Sequence, residues 1–142
     1  MSDKRFVDTN VLVYAYDTDD RLKQARAQEL LRAGLLNEDM VISVQVVGEF
    51  FATVTRRIQQ PMSSREAKEA IDRIKVIPVV DIDLQLVERA IEIHLEYQIS
   101  YWDALIVASA ERSGCIEILS EDLNEGQRYA ELVIVNPFKP DI

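Results

Sequence analysis

Arg5-Phe6-Val7-Asp8-Thr9-Asn10 is the stretch on which the reading of this chain turns. A short apolar run stops at an acid, a hydroxyl and an amide follow, and apolar residues resume at Val11, Leu12, Val13 and Tyr14. A strand covered on both faces is apolar along its length, and its C-terminal end opens into the crevice where open α/β sheets bind ligands. The stretch therefore predicts a buried strand feeding a helix, with Asp8 standing in that crevice. Taken alone, Asp8 has a purely local alternative: an Asp at such a junction caps the helix or closes an Asx turn.

Outward from this strand the chain alternates. A short helix is expected over residues 11–16, and Asp17-Thr18-Asp19-Asp20 reads as a capping loop, since it lacks the Gly and distal Glu of a calcium loop. An amphipathic helix follows over 21–36, with Leu22, Ala25, Leu30, Leu31 and Leu35 as its apolar set and Gly34 weakening its last turn. Residues 40–44 form a second apolar run, and Ser43 is placed to cap a helix over 45–59. On that helix Gln45, Glu49, Thr53 and Arg56 share a polar stripe, either a site face or an ordinary solvent face.

Pro61 breaks the chain, Ser63 or Ser64 caps a helix over 65–74, and Pro78 places a third strand (76–80) at a sheet edge. Asp81 and Asp83 are assigned to capping a helix whose inner side is read as Leu84, Val87, Ile91 and either His94 or Leu95. Ser100-Tyr101-Trp102-Asp103 opens a helix with a small, apolar body, ended by Gly114. Strands at 115–119 and 132–135 complete the pattern. Such alternation predicts a three-layer α/β/α sandwich on a mainly parallel sheet of about five strands, with residues 1–142 as one domain.

A net charge of -9 excludes binding of nucleic acid through a general basic surface, because that affinity comes from neutralising phosphates with Lys and Arg. A nucleic-acid substrate would need a local basic patch, a bound cation or a partner chain. One cysteine, Cys115, rules out an intrachain disulfide or a thiolate metal site. The start holds too short an apolar run for a secretory signal, and no stretch approaches the roughly 18 apolar residues of a membrane span. A soluble cytoplasmic protein is expected. One histidine, His94, and four glycines leave little for a His-based hydrolase or a Gly-rich phosphate loop.

The chemistry lies in the acids. In a parallel sheet, strand C-termini and the N-termini of the following helices share one edge, which brings strand-end Asp8 and Asp122 to helix-start Glu49 and Asp103. Four oxygen donors with no His or Cys suit a hard cation, Mg²⁺ or Mn²⁺. Such an ion can orient and deprotonate a water for attack on a phosphodiester. Asp103 has a capping alternative through Ser100, but the apolar helix it leads predicts an enclosed acid in need of a partner. Glu121 competes with Asp122; period-two alternation points Ser120 and Asp122 one way and Glu121 the other.

The ordered set Val7-Asp8-Thr9-Asn10, Glu49, Asp103-Ala104 with Ala110, and Ser120-Glu121-Asp122 resembles the PIN-domain nucleases, most of all the VapC ribonuclease toxins of bacterial toxin–antitoxin pairs. The resemblance covers the whole chain. It implies a divalent-metal-dependent endoribonuclease with Asp8, Glu49, Asp103 and Asp122 as its acidic positions. It also implies support from Thr9 or Asn10, Ser120 beside the fourth acid, a homodimer, and an antitoxin that covers the site. Arg56 and Arg57, with Arg112 and Lys23, are candidate RNA phosphate contacts. The competing expectation is a non-catalytic module of the same fold whose acidic patch binds a basic protein partner.

Overall fold

Lys4–Val7 (β1) sits inside a sheet of six strands, between Met40–Ser43 (β2) and Cys115–Leu119 (β4). Val79–Val80 (β3) closes the edge beyond β2, while Leu132–Val135 (β6) and Arg128–Tyr129 (β5) lie beyond β4. All pairings are parallel except β5 with β6. The computed structural model describes residues 3–139, so the two ends of the expected 1–142 domain lie outside the described residues.

The helices are Thr9–Tyr14 (α1), Arg21–Asn37 (α2), Val44–Val54 (α3), Ser64–Ile74 (α4), Leu84–Tyr97 (α5) and Tyr101–Arg112 (α6). Consecutive buried pairs Phe6/Val7, Val41/Ile42 and Ile118/Leu119 show that both faces of the sheet are covered, because neighbouring strand side chains point to opposite faces. α6 contacts β2, β4 and β6 and carries α5 on its outside, while α3 packs on β2 and joins α1 and α4. The result is the three-layer α/β/α arrangement expected. In α6 the run Ala104 to Ala110 is buried without interruption, as its small apolar residues required.

Chain order reverses around β1: the first crossovers run to β2 and β3, and the chain then returns to β4 on the other side. The crevice between the carboxyl ends of β1 and β4 is therefore the topological switch point, the usual place for a ligand in an open α/β sheet. Phe6 pairs with Ile118 and Val7 with Leu119, which sets Asp8 level with Ser120.

Several boundaries and faces differ from expectation. The sheet gains β5, a two-residue antiparallel edge strand turned back through Ala130 at φ 54°, too short to show periodicity. β3 contracts to Val79–Val80, with the Pro78 carbonyl accepting from Ile42 N at 2.9 Å. α3 stops at Val54, where the Thr55 hydroxyl donates to the Phe51 carbonyl at 2.8 Å. On α5 the inward residues are Leu86, Ala90 and Ile93, whereas Leu84, Ile91 and Leu95 face outward. Asp83, not Asp81, caps that helix.

On α2 the buried set is Ala27, Leu30 and Gly34, and Leu22 and Leu35 are exposed. Gly34 has a packing role: a Cβ there would lie 2.2 Å from the sulfur of Met40, itself buried in β2. Gly34→Val should therefore cost about 2 kcal/mol through overpacking, read as a lower urea midpoint at unchanged slope. An unchanged midpoint would mean that Met40 has room to move.

Candidate active site

The end of β1 delivers Asp8 as the N-cap of α1, where its Oδ1 accepts from Thr9 N at 2.7 Å. The local alternative and the crevice reading thus both hold: Oδ1 caps, and Oδ2 faces β4. Ser120, fully buried, donates its hydroxyl to Asp8 Oδ2 at 2.8 Å. Asn10 Nδ2 stands 3.3 Å from the same oxygen and 3.1 Å from Asp122 Oδ2, bridging the two strand-end acids. Thr9 Oγ1 reaches Glu49 Oε1 at 3.3 Å, bringing in the acid of α3. Each carboxylate thus has a neutral donor between it and the next.

Asp103 approaches from the start of α6 but, unlike the other three, shares no hydrogen-bonding residue with another acid among the described residues. Ser100 Oγ accepts from its backbone N at 3.1 Å, the capping contact expected. Its side chain is half-buried instead of enclosed by the apolar helix, because only residues from Ala104 onward turn into the core. Its charge nonetheless reaches Glu49. Burial is the main cause that raises the Glu49 carboxyl above its ordinary value; hydrogen bonds from Gln45 and Thr9 oppose this, and the charges of Asp103 and Asp122 add to it.

Asp8 is the most perturbed of the acids. Burial pushes its carboxyl up to about 6, Ser120 and Thr9 pull against that, and the charges of Glu49 and Asp122 add to the rise. Like charges near a buried carboxylate disfavour ionisation unless a cation is supplied. Among the described residues, no three acidic, His or Cys side chains stand arranged to hold a metal ion together. The donor set nevertheless fits a hard divalent ion, being oxygen only, with its buried member in want of positive charge.

Glu49 and Asp122, but not Asp8 or Asp103, border an open cleft of about 310 Å³, lined also by Thr9, Asn10, Thr53 and Arg57 among others. A larger cavity of about 530 Å³, between α2 and α4, has no acid in its lining and offers none of this chemistry. Of the four candidate cations, Arg112 makes a two-pronged pair with Asp83 at 2.9 Å per contact, and Lys23 pairs with Glu121. Arg57 lines the acid cleft, and Arg56 and Arg57 together line the adjoining hollow. Tyr14 and Asp17, read as helix and loop residues, also line the cleft. His94 is exposed, with Nδ1 against the Ile99 carbonyl in the turn between α5 and α6.

The chain matches the PIN domain family over residues 5–131. It belongs to that family. The crevice described above is therefore the acidic edge of a PIN domain. In structure this PIN domain is similar to Mycobacterium tuberculosis VapC20, a Sarcin-Ricin loop cleaving toxin, at 22% identity and TM-score 0.67, covering 84% of this chain and 90% of that one. It is similar to a chain of a toxin–antitoxin complex from Klebsiella pneumoniae at 17% identity and TM-score 0.71, covering 96% and 100%. A chain of DNA-bound VapBC from Salmonella typhimurium aligns at 17% identity and TM-score 0.68, covering 96% and 99%. These likenesses establish the fold. No curated protein sequence matches this PIN domain, and none of its helices, among the described residues, is long and apolar enough to cross a membrane.

Proposed function

We propose that this PIN domain is a divalent-metal-dependent endoribonuclease, the toxin of a toxin–antitoxin pair, acting in the cytoplasm as a homodimer of single-domain chains. The observation that carries the reading is the buried Asp8 at the switch point, raised to about 6 and coupled to the charges of Glu49 and Asp122. Asp8, Glu49, Asp103 and Asp122 would hold Mg²⁺ or Mn²⁺. When bound, the ion supplies positive charge to the scissile phosphate and acidifies a water for attack on phosphorus.

The remaining work falls to the chain. Thr9 and Asn10 hold Glu49 and Asp122 through their side chains, and Ser120 keeps Asp8 Oδ2 turned into the crevice. Arg57, on the wall of the same cleft, would take a neighbouring RNA phosphate with Arg56 beside it, giving a local cationic contact on a chain of net charge -9. The antitoxin expectation draws support from the neighbour described as a toxin–antitoxin complex.

Purified protein incubated with a structured RNA and Mn²⁺ is expected to cut it, and excess chelator to stop the cut. Cleavage that survives the chelator would overturn the metal dependence, and none with any divalent ion would favour the non-catalytic module with a basic protein partner.

A further inference from the structure

Two adjacent acids follow β4, and they are held by different partners. Asp122 Oδ2 accepts from Asn10, next to Asp8. Glu121, which also borders the cleft, is engaged by a box of other groups. Its Oε1 accepts from the Tyr14 hydroxyl at 2.5 Å, and its Oε2 is paired with Lys23 Nζ. Lys23 Nζ lies 3.4 Å from the Tyr14 oxygen, 4.9 Å from the centre of the Tyr14 ring and 5.9 Å from that of Phe138. Those two rings meet edge to face at 4.9 Å. Lys23 is thus surrounded by the Glu121 carboxylate, the Tyr14 hydroxyl and two aromatic rings.

This box joins α1, α2, the turn after β4 and the C-terminal segment at Phe138. The turn is also pinned through its backbone, since Glu121 N donates to Asn10 Oδ1 at 3.0 Å. The same Asn10 amide therefore holds the peptide at Glu121 with its oxygen and bridges Asp8 to Asp122 with its nitrogen. The side chains of Lys23 and Glu121 are 32% and 23% exposed, so water screens their attraction less than it would a fully exposed pair.

We propose that Glu121 is a positioning residue and not a metal ligand: its pairing with Lys23 and Tyr14 fixes the Ser120–Asp122 turn and so holds Asp122 towards Asp8. The inference rests on the nuclease reading, because it assumes that Asp122 serves the ion. A ligand must offer uncompensated negative charge to the cation, whereas Glu121 is already paired with the Lys23 ammonium and Asp8, Glu49 and Asp122 accept only from neutral donors. An outer residue of this kind acts by orienting a ligand.

The test is calorimetric titration of RNA-free protein with Mn²⁺ alone, with the thermal melt of each variant recorded to show that it folds. Two double variants preserve the net charge. Lys23→Met/Glu121→Leu removes the pairing and should weaken Mn²⁺ binding by about tenfold, the cost of losing an outer partner, although it deletes no proposed ligand. Lys23→Glu/Glu121→Lys moves the carboxylate to position 23 while keeping an ion pair, and should bind Mn²⁺ as the wild type does. In cleavage assays the first variant should need more Mn²⁺ yet approach wild-type kcat at saturation.

If the exchanged variant loses Mn²⁺ as severely as Asp122→Asn, Glu121 is itself a ligand and the proposal falls. If the uncharged double variant binds Mn²⁺ like the wild type, the pairing positions nothing and it also falls. Failure of the underlying reading is seen separately, in Asp122→Asn: undiminished Mn²⁺ binding there would remove the metal site and this inference with it.

Discussion

Asp8→Asn is expected to reduce RNA cleavage by about 10³-fold or more, because several kcal/mol of charge stabilisation at the phosphate depend on the ion it helps to hold. The same substitution should make the metal-free protein more stable at neutral pH. Asp8 has an ordinary value of 3.8 and is raised to about 6 in the fold. The native state therefore keeps its proton at pH values where the unfolded chain has released it, and metal-free stability falls as pH rises from about 4 to 6. At pH 7 the whole penalty is present, at most about 3 kcal/mol for a shift of this size.

Asn carries no charge in either state, so the variant should lack that loss. In urea unfolding with chelator present, Asp8→Asn should exceed the wild type at pH 7 by about 1–3 kcal/mol and match it near pH 4. Adding Mn²⁺ should narrow the gap, because only the wild type regains stability by binding the ion well. A variant less stable than the wild type at pH 7 would show that Asp8 carries no uncompensated charge. A variant that cuts RNA at the wild-type rate would remove Asp8 from the mechanism.

The approach of Asp8 to Asp122 was legible because it depends on connectivity alone: in a parallel sheet the ends of β1 and β4 share an edge, whatever the side chains do. Glu49 was less so, since it is not a helix-start acid but lies in the middle of α3 and comes near only through its side chain and Thr9. Alternation along a strand also carried past β4: Asp122 meets Asn10 while Glu121 is engaged by Tyr14 and Lys23, the division that period two implies. Faces of exposed helices were less legible. On α5, Leu84, Ile91 and Leu95 repeat at helical spacing as well as Leu86, Ala90 and Ile93 do, and the choice falls to the neighbouring α6. Long cations were least legible, since Arg112 and Lys23 find their carboxylates at positions 83 and 121 only once the chain is folded. Gly34 likewise looked like a helix weakness until Met40 of β2 was seen to fill the space above it.

Ser120→Ala should be among the most damaging single-atom deletions in the molecule. Its hydroxyl donates to Asp8 Oδ2 at 2.8 Å and accepts from the backbone N–H groups of Asp122 and Leu123, each at 3.2 Å. Alanine leaves those two N–H groups without that acceptor, the one on Leu123 in a buried spot, and an orphaned buried donor costs about 1–3 kcal/mol. A loss of about 2–4 kcal/mol is expected, with some relaxation of the turn. The deletion also removes the strongest influence that holds the Asp8 carboxyl down, so that group should rise further above its ordinary value. Because the lost hydrogen bond favours the ionised acid, the deficit against the wild type should be largest near pH 7 and shrink as pH falls below about 6. Mn²⁺ must then displace a more tightly held proton, and the pH needed for half-maximal cleavage should move upward. Urea unfolding at several pH values, with the Mn²⁺-dependent rate measured over the same range, separates these effects. A stability deficit that stays constant with pH would mean that Ser120 supports only the turn and does nothing for Asp8.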